Sequence, residues 1–141
     1  MSEAVIEKKR CNFLIPDAKA DLALYSAGAK AAGLEPQEKM LTAVLEGFRS
    51  IYGGLWVGGT AFLSAQHLAF TPNAMNQLMH KADYSLSIPL ADITDLAYES
   101  GFVTGIIRIT TKRGVMKLRC FGAKAFLSRI DYACSKTRNA H

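Results

Sequence analysis

Charge is missing from the middle of this chain. Between Ser50 and His80 there is no Asp, Glu, Lys or Arg. The stretch is nonetheless no membrane-spanning helix. Gly53, Gly54, Gly58, Gly59, Gln66, His67 and Pro72 interrupt it, and a span needs about 20 predominantly apolar residues. Cysteine is scarce too. Cys11, Cys120 and Cys134 are odd in number, far apart and in no C-x-x-C spacing. That excludes a disulfide scaffold and points to reduced thiols in a reducing compartment. The glycine pairs of "GGLWVGG" are not followed by Lys and Ser or Thr, so they form no phosphate-cradling loop. "MSEAVIEKKR" has no apolar core of leader length, and the expected location is the cytoplasm, with peripheral membrane contact left open.

Acid is nearly absent from the last quarter. Residues 101–141 hold nine Lys or Arg and only Asp131, whereas residues 1–100 hold eight Lys or Arg and eleven Asp or Glu. A near-neutral body with a basic end suits an anionic partner, or simply solubility. Catalytic and metal signatures are lacking as well. His67, His80 and His141 are scattered, and no cysteine has a histidine nearby in sequence. Ser64 and His67 stand three apart without an acid placed for a triad; they read as a turn serine and an edge histidine. Asp92 and Asp95 read as flanking a turn and a strand edge. The expectation is a non-enzymatic protein with no cofactor and no metal.

What is present reads mainly as β structure, in a chain of one-domain length. Asp17 to Ala32 has a capping Asp, a narrow stripe of Leu22, Tyr25 and Ala29, and Gly33 to end it, which predicts an N-terminal helix. "KMLTAVLEGFRSI" fits helix or strand. "TAFLS" and "HLAFT", joined by "AQ", have hairpin spacing. "YSLSIPLADITDLAYES" gives two more strands, with Pro89 at an edge or bulge.

"GIIRITTKRGVMKLRCF" is the clearest hairpin. Ile107 and Ile109 alternate with Arg108 and Thr110; Met116, Leu118 and Cys120 alternate with Lys117, Arg119 and Phe121. A one-residue slip would put charge into the core. The register therefore sets Ile107 against Leu118, Ile109 against Met116 and Arg108 against Lys117, leaving Thr111 to Gly114 as a four-residue loop. Arg108, Lys117 and Arg119 share an outward face, with Lys112 and Arg113 at its tip. Like charges directly opposed need compensation from solvent, a nearby acid or an anionic ligand. Ala123, Leu127, Ile130 and Cys134 then fall on one face of an amphipathic helix near Gly122 to Lys136, suited to covering open β structure. The expected core joins Leu63, Phe70, Ile93, Ile107, Ile109, Leu118, Leu127 and Ile130.

Short strands followed by one closing helix resemble the order of pleckstrin-homology (PH)-like domains. "VGGTAFLSAQHLAFTPN", "LSIPLADITDL" and "GIIRITTKRGVMKLRCF" resemble, in order, three motifs of the GRAM group of that superfamily, over roughly Met40 to Tyr132. The resemblance implies a partly open antiparallel barrel of about seven strands with a C-terminal helix. Residues 39–138 would form this domain and residues 1–38 an extension with one extra helix. It further implies an interaction module. The basic hairpin face of Arg108, Lys112, Arg113, Lys117 and Arg119 then meets an anionic surface such as membrane lipid. The alternative is a protein-binding or self-assembling adaptor, with homo-oligomers formed through strand edges. Nucleic acid ranks below both, since aromatic residues do not interleave with the basic ones.

Overall fold

Alternation of inward apolar and outward polar residues builds most of the structure. This computed structural model describes residues 4–16, 22, 25, 56–73, 85–101 and 103–139. Seven strands follow the chain as β1 (Val5–Leu14), β2 (Val57–Ser64), β3 (His67–Pro72), β4 (Leu86–Pro89), β5 (Ile93–Glu99), β6 (Gly105–Thr111) and β7 (Gly114–Cys120). A helix, α1 (Ala123–Asn139), closes the chain. All neighbours pair antiparallel, in the order β4-β3-β2-β1-β7-β6-β5.

That order forces curvature. β4 and β5 lie at opposite edges of the sheet, yet only a 3-10 turn, Leu90–Asp92, joins them. Laid flat, edge strands six spacings apart would stand ~29 Å from each other. The link from Pro89 to Ile93 reaches at most ~14 Å. The sheet must therefore curl until its edges approach, giving a partly open barrel. The curl is fixed locally where Leu90 donates its N–H to the Gln66 carbonyl (2.8 Å) and Lys112 donates its N–H to that of Asp92 (3.0 Å).

The predicted core forms one cluster. Leu63, Phe70, Ile93, Ile107, Ile109, Leu118 and Ile130 are buried, and Leu127 packs against them half-buried. The helix turns slightly from the expected face, burying Phe126, Ile130, Ala133 and Cys134. Phe13 stacks on Phe70 with ring centres 4.5 Å apart.

β1 was not expected from the sequence. It is the central strand, between β2 and β7, so the sheet draws on both sides of residue 39. Its alternation is hidden because Glu7 and Lys9 occupy inward positions, opposite Leu63 and Ala61. There the strand meets α1: Glu7 pairs with Arg129 at 2.7 Å. The four-residue loop is also corrected. The ladder continues to Thr111 opposite Gly114 and leaves Lys112-Arg113 as the turn. Thr111 makes this possible: its hydroxyl donates to the Gly114 carbonyl (2.9 Å) and accepts from the Arg113 N–H (3.1 Å). Gly114 takes a φ of +145°, which a side chain would resist. The predicted N-terminal helix, Asp17 to Ala32, lies outside the described residues except for Leu22 and Tyr25, both buried. "KMLTAVLEGFRSI" lies outside them entirely.

Candidate functional site

The outward face of β6 and β7 carries the cations in the register read from the sequence, with Arg108 opposite Lys117 and Ile106 opposite Arg119. Their mutual repulsion is relieved by one acid. Glu99 at the end of β5 holds Lys117 at 3.0 Å and Arg108 at 3.4 Å. Arg119 goes elsewhere, its guanidinium carbon lying 4.4 Å from the centre of the Trp56 ring. Lys112 and Arg113 are not brought to this group. They form the turn at the other end of the hairpin, Arg113 standing about 13 Å along the strand from Lys117 and about 20 Å from Arg119. Lys112 instead pairs with Asp92 at 3.8 Å, and Arg113 lies 5.6 Å over the Tyr25 ring. Asp92 also accepts the Tyr25 hydroxyl (2.9 Å), and burial raises that hydroxyl's pKa.

Two cations missed in the sequence belong to the same face. Asn12 pairs with Arg119 across β1 and β7. Arg10 and Lys8, next outward on β1, are exposed and extend the cationic strip beyond the end of β7. Lys8 lies 5.8 Å over the Phe62 ring, and Arg10 has no acidic partner among the described residues. The alternation of Lys8, Arg10 and Asn12 with Cys11 and Phe13 was the available signal. Only the strand order places it beside Arg119.

Exposed apolar side chains adjoin these cations. Gly105 pairs with Cys120, so the β5–β6 loop and the β7–α1 turn leave the sheet side by side. The loop presents Val103, 73% exposed, and the turn Phe121, 71% exposed. Lys124 sits 5.0 Å over the Tyr98 ring at this end, and Lys9 approaches Gly122.

The residues weighed for chemistry have structural partners. Ser64 donates to the His67 carbonyl (3.2 Å) and accepts the His67 N–H (3.3 Å), which closes the β2–β3 turn. Burial pushes the Cys11 thiol up to about 12, with Cys120 adding to the shift, and raises Cys120 and Cys134 as well. Among the described residues no group of three His, Cys, Asp or Glu could hold a metal ion, and no helix is long and apolar enough to cross a membrane.

No protein-family model matches the sequence, and no curated protein matches it. Solved structures do. The Vps36 N-terminal PH domain aligns over 58% of this chain and 65% of its own, with TM-score 0.47 and 19% identity. The crystal structure of the C-terminal domain of an unknown protein from Leishmania infantum aligns over 93% of this chain and 84% of its own, with TM-score 0.52 and 13% identity. At that identity the second likeness shows a shared fold and nothing about function.

Proposed function

We propose that this chain is a non-enzymatic, PH-like interaction module that docks on an anionic membrane surface through the outward face of β1, β7 and β6. The seven antiparallel strands and the closing helix are those the sequence resemblance implies. The observation that carries the reading is that cations and exposed apolar side chains share one end of the sheet: Arg119 near the end of β7 and Arg10 next outward on β1, with Phe121 and Val103 exposed in the turn and loop that leave the sheet there. The high pKa of Cys11 argues against that thiol as a nucleophile, since a thiol held protonated reacts poorly.

Magnitudes favour the combination over charge alone. A Lys or Arg near an anionic leaflet contributes about 1 kcal/mol. With Arg108 and Lys117 already sharing Glu99, the face supplies roughly 3–4 kcal/mol, which is millimolar binding. Insertion of Val103 and Phe121 adds about 1.5–3 kcal/mol each. The gross sum reaches the micromolar range, before the cost of orienting the protein. Two signals together thus give usable affinity where either alone does not.

Vesicle flotation tests this. The protein is expected to float with phosphatidylserine-rich vesicles at low salt, and to lose them as salt shortens the screening length toward and below ~8 Å. It should not float with pure phosphatidylcholine. The combined change Arg10→Gln, Arg108→Gln and Arg119→Gln should abolish retention. Failure of the wild type to float at low salt overturns the reading. It would favour the adaptor, for which edge strand β5 offers a pairing surface uncovered by any strand among the described residues; a sizing column would then show the oligomer.

A further inference from the structure

A second apolar surface lies on the other flank of α1. There a groove of about 880 Å³ runs between the helix, the β2–β3 turn and the end of β4. Its size falls within the range of small-molecule sites, roughly 300–1,000 Å³. Buried Leu63 and Ala133 form its floor, and exposed Ile6 and Tyr132 with Pro89 form its walls.

The charge along the groove has one sign. Arg129 and Lys136 line it, and no carboxylate does among the described residues. Arg129 is engaged by Glu7 at 2.7 Å. Lys136 is exposed, lies 5.3 Å over the Tyr132 ring and has no acidic partner among the described residues. An occupant with an apolar body and one negative group at Lys136 complements this lining.

Backbone chemistry separates a lipid from a peptide. An extended peptide needs partners for its own N–H and C=O groups. Here the Gln66 carbonyl already accepts the Leu90 N–H (2.8 Å) and Pro89 has no N–H, while the Thr137 hydroxyl donates to the Ala133 carbonyl (3.0 Å) and lies 3.3 Å from that of Ala65. At these positions the groove offers an extended peptide few partners. An alkyl chain needs none.

We propose that this groove binds a single-chain fatty carboxylate, its chain lying against Leu63, Ala133 and Tyr132 and its carboxylate at Lys136. Calorimetric titration with laurate and with dodecyltrimethylammonium, both below their micelle concentrations, tests it. Laurate should bind at one site, about tenfold more tightly than the cationic amphiphile. Lys136→Glu should remove that preference, and Tyr132→Ser should weaken laurate by about tenfold. Both positions are exposed, so the variants should keep the wild-type melting temperature. Equal affinity for the two amphiphiles overturns the proposal. So does absence of laurate binding, indifference to Tyr132→Ser, or saturable binding of an acidic amphipathic peptide that laurate fails to displace. Lys136→Glu leaves the Arg119 and Phe121 end untouched, so this result is independent of vesicle flotation.

Discussion

The Arg119 guanidinium lies over the Trp56 indole at 4.4 Å, although β1 stands between β7 and β2, the strand that Trp56 precedes. Asn12 on β1 pairs with Arg119 on one side and with Gly58 on the other. Gly58 has no side chain to stand in the way of this crossing. The stack ties Trp56, immediately before β2, to the end of β7.

Trp56 is the one tryptophan of the chain, so its fluorescence reports on Arg119. Arg119→Gln should change the emission of the free protein and abolish any response to anionic vesicles. A stacked cation of this kind contributes about 0.5–2 kcal/mol. The Arg119 Nε is buried without a hydrogen-bond partner, which offsets part of that. Urea denaturation should accordingly show a loss of about 1 kcal/mol or less. An unchanged emission spectrum would show that the stack is not held in solution.

Glu99→Gln should move stability and binding in opposite directions. The substitution leaves Arg108 and Lys117 directly opposed with no carboxylate between them. Their side chains are 44% and 26% exposed, so solvent screens the repulsion and the loss should be about 1 kcal/mol or less. The same change removes a negative charge from the face, so retention on phosphatidylserine vesicles should rise. A variant that loses both stability and retention would mean that Glu99 shapes the site rather than neutralises it.

The Arg108–Lys117 register was legible because both strands of the hairpin alternate cleanly, and any slip places a charge inside. The same logic fails for β1. Its inward Glu7 finds Arg129, more than a hundred residues later, and inward Lys9 sits near Gly122. Without those partners the segment reads as merely polar. Asp92 shows the same limit: its partners Tyr25 and Lys112 come from either side of it in sequence. Pairings within one hairpin are written locally. Pairings across the curled sheet depend on strand order, which one sequence does not display.

Truncations should separate the centre of the core from its edge. Ile109 is fully buried between β5 and β7, so Ile109→Ala should cost about 2–5 kcal/mol. Phe13→Ala should cost about 3–5 kcal/mol, because it removes the ring stacked on Phe70 from the strand that joins the two halves of the sheet. Phe121→Ala, by contrast, should leave the denaturation midpoint nearly unchanged, since that ring is mostly exposed. If Phe121→Ala cost as much as Ile109→Ala, Phe121 would be a packing residue and not a membrane anchor.

Alkaline pH should expose the buried Cys11 thiol. Burial raises it from an ordinary 9.0 to about 12, so the folded protein holds this proton where the unfolded chain has released it. Between about pH 9 and pH 12 the unfolded state binds fewer protons, and stability falls as pH rises. Below pH 9 the contribution is fully present. The slope from this group approaches 1.4 kcal/mol per pH unit inside the window. Lysine and tyrosine also titrate there, so the comparison is with Cys11→Ala, which is less stable throughout but lacks this slope. Denaturation midpoints at pH 8.5 to 10.5 should therefore converge for the two proteins as pH rises. The same protonation should leave Cys11 unlabelled by iodoacetamide in the native protein at pH 8 and labelled in urea. Parallel stability curves, or rapid native labelling, would show that the thiol is not held in the protonated state that its burial implies.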